Sequence, residues 1–179
     1  MSLHTLSRKL RPIRLLALDV DGILSDGTLY FTSDNQEMKT FSILDGLGIK
    51  WLMNSGIEVA IITGRISNMV SKRCQDLGIQ HVTQGREDKL TALNELAASL
   101  RLGLGEIAYM GDDLPDLGAI VSAGVGFTVP NGHHFVRKHA DYCTQANGGH
   151  GAVREVCELI LEAQGKLDNI LNSYLPDEH

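Results

Sequence analysis

The sequence predicts a doubly wound, three-layer α/β fold on a parallel sheet, and two observations carry that prediction. Short apolar runs alternate along the chain with longer stretches of helical period, the pattern of repeated β-α-β units. Those runs also end in polar or charged residues, most plainly at Leu15-Leu16-Ala17-Leu18-Asp19-Val20-Asp21-Gly22. Four apolar residues in a row suit a strand buried on both faces. Acids do not belong inside such a strand unless paired or bound to a cation. They fit at its carboxyl end, where open α/β sheets place their ligands. At 179 residues the chain can build a real core, and one domain over 1–179 is expected.

In chain order, residues 1–12 are polar and basic without a clear period and read as a loosely held lead-in. The first strand covers 13–18. Asp26-Gly27 is a turn signal, and 28–32 and 37–43 are rich in β-formers around a polar centre. A projecting β-hairpin over about 26–43 is therefore predicted. It carries Tyr30, Phe31 and Phe41 in a chain only 5% aromatic. A lone hairpin is marginal in water, so it must pack on the body or on another subunit. Asp45 is placed to cap a helix to about residue 55, with Leu47, Trp51 and Leu52 near one stripe. Residues 57–62 form the second buried strand, ending in Thr63-Gly64-Arg65. A helix over 67–77 closes at Gly78. Residues 79–83 form a short third strand, and Asp88 opens a helix to about residue 100.

Residues 107–110 form the fourth strand, ending in Gly111-Asp112-Asp113-Leu114-Pro115-Asp116. A helix runs from there to about 122, and 124–129 form the fifth strand. Asn131 starts a short helix, 141–144 form an edge strand, and 147–151 form a flexible loop. The last helix spans 152–163, and the chain from Gly165 onward reads as frayed.

The composition, 43% hydrophobic and 21% charged, is ordinary for a globular protein. A net charge of -6 argues against nucleic acid as a partner, because phosphate contacts need a basic surface. No apolar run approaches membrane-spanning length, and no signal core is seen, so no membrane association and a cytoplasmic location are expected. Cys74, Cys143 and Cys157 are odd in number and widely spaced, which suits buried reduced thiols better than a zinc or redox pair. His133, His134 and His139 lack metal-ligand spacing and read as solvated positions.

The chemistry gathers at the strand ends. Side chains alternate along a strand, so Asp19 and Asp21 share a face. In a parallel sheet their edge is shared by Thr63, by Asp112, Asp113 and Asp116, and by Lys89 at the start of a helix. Asp19, Asp21 and Asp112 would repel one another without a cation, and such a set suits Mg²⁺, which keeps positions for water and phosphate oxygens. Thr63 and Lys89 supply a hydroxyl and an ammonium for a trianionic group. Singly, each has a plainer reading. Thr63 could cap a helix, Lys89 could face solvent, and Arg65 and Arg73 could be surface ion-pair partners worth little. Lys50 could merely decorate its helix, and Asp116 could answer a helix dipole. The joint pattern moves the balance to function.

With D-V-D-G at 19–22, the strand-ending Thr63, Lys89 and G-D-D-L-P-D at 111–116, the chain resembles the haloacid dehalogenase-like phosphatases, whose core is Rossmann-like. The runs at 19–27, 45–49, 61–65 and 148–155, with A-Q-G-K at 163–166, bring it nearest the small, capless, tetrameric branch acting on phosphorylated acid sugars. The resemblance implies no cap domain, Mg²⁺ as cofactor and a homotetramer. It implies Asp19 as nucleophile, Asp21 as general acid and then base, and Thr63 and Lys89 as holders of the phosphoryl group. Asp19, the Asp21 carbonyl and Asp112 would ligate the metal, backed by Asp113 and Asp116. Ser42, Ile43, Leu44, Asp45, Gly46, Lys50, Arg65 and Arg73, together with Asp21 and Lys89, match positions that contact substrate. Leu44 departs from the pattern, which usually has a basic residue there. The loop at 147–151 and the tail after Gly165 match segments that can reach a neighbouring subunit. Two other readings stand beside this one: a phosphatase for a different acid sugar of the sialic acid 9-phosphate type, and a non-catalytic scaffold.

Overall fold

The computed structural model describes residues 3–176. Six parallel strands form the central sheet: β1 (Leu15–Leu18), β4 (Glu58–Thr63), β5 (His81–Gln84), β6 (Ile107–Met110), β7 (Val125–Thr128) and β8 (Tyr142–Cys143), in the order β5-β4-β1-β6-β7-β8. From β1 the chain winds outward to β4 and β5, then crosses back to β6 on the other side. The end of β1 is therefore the switch point at which a crevice opens. Its neighbours in register, Leu18↔Ile61 and Leu18↔Met110, bring the ends of β4 and β6 beside it.

Strand alternation divides the core into two halves. Leu16 and Leu18 join Val59, Ile61 and Met110 on one face, while Leu15 and Ala17 join Ala60, Ile62, Ile107 and Tyr109 on the other. The first face is covered by α1 (Leu3–Leu10), α2 (Ile43–Asn54), α3 (Asn68–Leu77) and α7 (Ala152–Ala163). The second is covered by α4 (Lys89–Leu100), α5 (Leu117–Ser122) and α6 (His134–His139). This is the predicted three-layer arrangement. The hairpin is present but short: β2 (Tyr30–Phe31) pairs antiparallel with β3 (Glu37–Met38). No helix among the described residues is long and apolar enough to cross a membrane.

Four readings need correction. Residues 3–10 form α1 rather than a loose lead-in, with Leu6 and Leu10 buried; the first two residues of that lead-in lie outside the described residues. The segment after Gly165 is not frayed. It forms α8 (Leu167–Asn172), beyond which the Tyr174 ring packs 5.9 Å from Trp51 and its hydroxyl accepts from the indole N–H at 3.1 Å. Ser42, not Asp45, caps α2, its hydroxyl accepting from the amides of Leu44 and Asp45. Cys74 and Cys157 are buried, but Cys143 on the edge strand is exposed.

Candidate active site

A cavity of about 380 Å³ lies over the end of β1 and is lined by Asp19, Asp21, Thr63, Arg65, Lys89 and Asp112, among others. Each is delivered by an element end. Asp19 follows β1 directly, and Thr63 is the last residue of β4. Lys89 is the first of α4, and Asp112 stands two residues beyond β6. The Asp19 carboxylate is buried, and Lys89 donates to it across 2.8 Å. The same ammonium is 2.6 Å from Asp116 Oδ1. Lys89 is thus buried between two carboxylates rather than solvated. Burial alone would lower its pKa, but Asp19 and Asp116 leave it raised, so it stays charged.

Asp116 is fully occupied. Its Oδ1 accepts from Lys89 and from the Tyr109 hydroxyl at 2.8 Å, and its Oδ2 accepts from the amides of Asp112 and Asp113 at 3.2 Å each. It therefore holds the lysine and the acidic loop from the floor of the cavity that it helps to line. Asp113 caps the short 3₁₀ turn Leu114–Asp116 by accepting from the Leu114 amide.

Carboxylate oxygens of Asp19, Asp112 and Asp116 lie within 4.8 Å of one another, the one such cluster found among the described residues, and no histidine joins it. Burial pushes both Asp19 and Asp112 up to about 7, helped by repulsion from Asp116 on Asp19 and from Asp19 and Asp116 on Asp112. Gly22 has φ +89°, and a Cβ there would lie 2.1 Å from Asp112 Oδ2, so only glycine leaves that carboxylate its place. Two convergent, under-neutralised carboxylates of this kind fit a hard divalent cation such as Mg²⁺.

The Asp21 side chain turns away from the cluster. Lys39 is ion-paired with its Oδ1, and Arg65 Nε lies 3.8 Å from its Oδ2. Sequence reasoning missed Lys39 and its neighbour Glu37, because an ion pair across 18 residues leaves no local signature. Tyr109 lies within an apolar strand, where the sequence shows no partner for its buried hydroxyl.

The structure brings Asp19, Asp21, Thr63, Arg65, Lys89 and Asp112 together but sets the other expected contacts apart. Ile43, Gly46, Lys50 and Arg73 line a separate groove of about 200 Å³ at the start of α2. Arg73 donates to the Ser42 carbonyl at 3.0 Å, and Leu44 is exposed. The Asp45 side chain is turned into the body. It is 1% exposed, and its carboxylate accepts from the amides of Gly151 and Arg154 at the start of α7. Gly46 is likewise buried beneath Arg73. The loop before α7 abuts the catalytic turn. A Cβ on Gly148 would fall 1.7 Å from the Gly22 carbonyl oxygen, and the Gly149 amide donates to Ile23 at 2.8 Å.

A buried carboxylate and ammonium facing each other at the switch point of a parallel sheet, beside a second acid that fits a metal, define a haloacid dehalogenase-like hydrolase. A profile of the haloacid dehalogenase-like hydrolases matches residues 79–156. The chain is 47% identical to the 3-deoxy-D-manno-octulosonate 8-phosphate phosphatase of Salmonella typhi over 168 residues, 94% of this chain and 89% of the relative. The crystal structure of the Moraxella catarrhalis phosphatase of that name, in complex with magnesium ion, phosphate ion and a KDO molecule, superposes with a TM-score of 0.96 at 50% identity. It covers 97% of this chain and 100% of its own. The cobalt-bound form of the Haemophilus influenzae phosphatase gives 0.86 at 39% identity, covering 89% and 93% of the two chains. The chain belongs to the 3-deoxy-D-manno-octulosonate 8-phosphate phosphatase family.

Proposed function

We propose that the protein hydrolyses 3-deoxy-D-manno-octulosonate 8-phosphate to the free sugar acid and phosphate, in the cytoplasm, as a step of lipopolysaccharide precursor synthesis. The observation that carries this reading is the buried Asp19–Lys89 pair at 2.8 Å, facing the cavity beside Asp112. Near-half identity over almost the full length of curated relatives supports the choice of substrate.

Asp19 attacks phosphorus, and the bond to the sugar oxygen breaks as Asp21 gives that oxygen a proton. Water then attacks the aspartyl-phosphate, Asp21 takes its proton, and Asp19 is released with inorganic phosphate. Thr63 and Lys89 hold the phosphoryl oxygens and oppose their charge in the loose transition state. Asp19, the Asp21 carbonyl and Asp112 would hold Mg²⁺, with Asp113 and Asp116 behind them; when bound, the ion neutralises phosphoryl charge and orients the group.

The assembly belongs to the same proposal. Phe31, Met38, Ile43, Leu44 and Ile66 are all more than half exposed, a set that a neighbouring copy would cover. A homotetramer would set the groove of Lys50 and Arg73 in one subunit against the cavity mouth of the next. Arg65, Lys50 and Arg73 would then meet the sugar's carboxylate and hydroxyls, with Ser42, Ile43 and Leu44 alongside. A Mg²⁺-dependent phosphate-release screen over phosphorylated acid sugars tests the function. The octulosonate 8-phosphate should give the highest kcat/KM, ahead of sialic acid 9-phosphates. Failure of every sugar phosphate to release phosphate would overturn the reading.

A further inference from the structure

Resting on the reading of Asp21 as the group that activates water, we propose that Lys39 is its positioning residue, reaching in from the hairpin to aim the carboxylate. The hairpin is largely exposed, and Lys39 as a residue is half-buried, yet its side chain is only 1% exposed. Its ammonium is ion-paired with Asp21 Oδ1 and lies 3.5 Å from Glu37 Oε1. Arg65 completes a ring, 3.8 Å from Asp21 Oδ2 and 3.1 Å from the same Glu37 oxygen. Each Asp21 oxygen thus has one cation, and Glu37 joins the two cations to each other.

Asp21 needs such a hold. Its carboxylate projects from a turn, and its other hydrogen bond, from the Ser25 hydroxyl at 3.5 Å, is too long to fix a rotamer. Arg65 is 46% exposed and approaches at a longer distance, so it constrains less. Lys39, its side chain covered and its ammonium shared between Asp21 and Glu37, is the anchor.

The step served is the second half of the reaction. Water oxygen bonds to phosphorus, the Asp19 Oδ–phosphorus bond breaks, and the water proton moves to the Asp21 carboxylate. Lys39 keeps its own protons throughout. A base displaced by about 1 Å can lose on the order of a hundredfold in rate. The first half is independent of Asp21 when the leaving group needs no proton, as with p-nitrophenyl phosphate.

Single turnovers with enzyme in excess, Mg²⁺ and p-nitrophenyl phosphate separate the halves. Nitrophenolate release reports transfer to Asp19, and free phosphate reports attack by water. Asp21→Asn sets the benchmark, with nitrophenolate released and phosphate withheld. Lys39→Met, with Lys39→Gln as a second variant checked for fold by circular dichroism, should release nitrophenolate within twofold of the parent. Phosphate release should slow tenfold or more, and Lys39→Arg should recover most of it. Unchanged phosphate release in both variants, or an equal fall in both halves, would overturn the proposal. If Asp21→Asn itself shows no split, the role of Asp21 fails, and the role of Lys39 falls with it.

Discussion

Removing the Asp116 carboxylate tests whether the polar layer beneath the site carries stability as well as geometry. Asp116→Ala deletes an acceptor for four donors: the Lys89 ammonium, the Tyr109 hydroxyl and the amides of Asp112 and Asp113. Lys89 keeps Asp19 at 2.8 Å, so it is not stranded. The Tyr109 hydroxyl, on a fully buried side chain, loses its side-chain partner, while the two amides belong to the loop that lines the cavity. A stranded buried donor costs roughly 1–3 kcal/mol, and the amides add less, so a total near 3 kcal/mol is expected. Relief of the Asp19–Asp116 repulsion keeps the figure from rising further. With a urea m-value of about 2 kcal/mol/M for a chain of this size, the midpoint should fall by about 1.5 M at unchanged m. Asp116→Asn keeps the shape and one acceptor and should cost about half as much. Tyr109→Phe removes a single bond and should cost about 1 kcal/mol. Equilibrium urea unfolding in chelator, followed by far-ultraviolet circular dichroism, reads all three. A midpoint shift below about 0.5 M for Asp116→Ala would refute the account of Asp116 as the brace of the site.

Three further outcomes are expected. Asp19→Asn should abolish turnover while the protein stays folded, because one charge leaves a self-repelling cluster and Asp116 still pairs Lys89; a folded, active variant would contradict the covalent route. Activity should require Mg²⁺ and vanish with chelator, Ca²⁺ should inhibit, and Mg²⁺ at a hundred times its dissociation constant should add about 2.7 kcal/mol of stability in thermal unfolding. Light scattering should find a tetramer, and replacing residues 28–43 by a short Gly-Ser turn should dissociate it and erase preference for sugar acids; a monomeric parent with full selectivity would exclude this assembly.

That hairpin replacement shows where the sequence was legible and where it was not. On sequence alone the hairpin carries no member of the catalytic set, so a shortened variant should keep weak turnover on small esters. The structure puts Lys39 of the removed piece on Asp21, so the shortened protein should transfer phosphate to Asp19 and release it tenfold or more slowly. Backbone periodicity and strand-end acids are local patterns, which is why β1, Asp19, Thr63, Lys89 and Asp112 could be read directly. Ion pairs such as Lys39–Asp21 and hydrogen bonds such as Tyr109–Asp116 depend on where segments meet. The helix α1 was legible too, since Leu6 and Leu10 stand four apart with Arg8 and Lys9 off that stripe. The segment is short, however, and its polar composition masks the stripe. Asp45 looked like a helix cap because Asp favours that role, yet Ser42 lay three residues earlier and took it, freeing Asp45 to bind α7.

Trp51 is the only tryptophan in the chain, and its surroundings make it an optical reporter of the carboxyl-terminal segment. The Arg154 guanidinium lies 3.7 Å from its ring centroid, and Tyr174 donates a ring and accepts a hydrogen bond from it. Lifting of α8 from the body would take Tyr174 away and admit water to the indole. Its emission would then shift to the red without any label. Because Trp51 belongs to the same helix as Ser42-capped residues 43–46, the signal also records movement of the groove that holds Lys50 and Arg73. A single intrinsic fluorophore thus offers a continuous readout of whether subunit association tightens that end of the molecule.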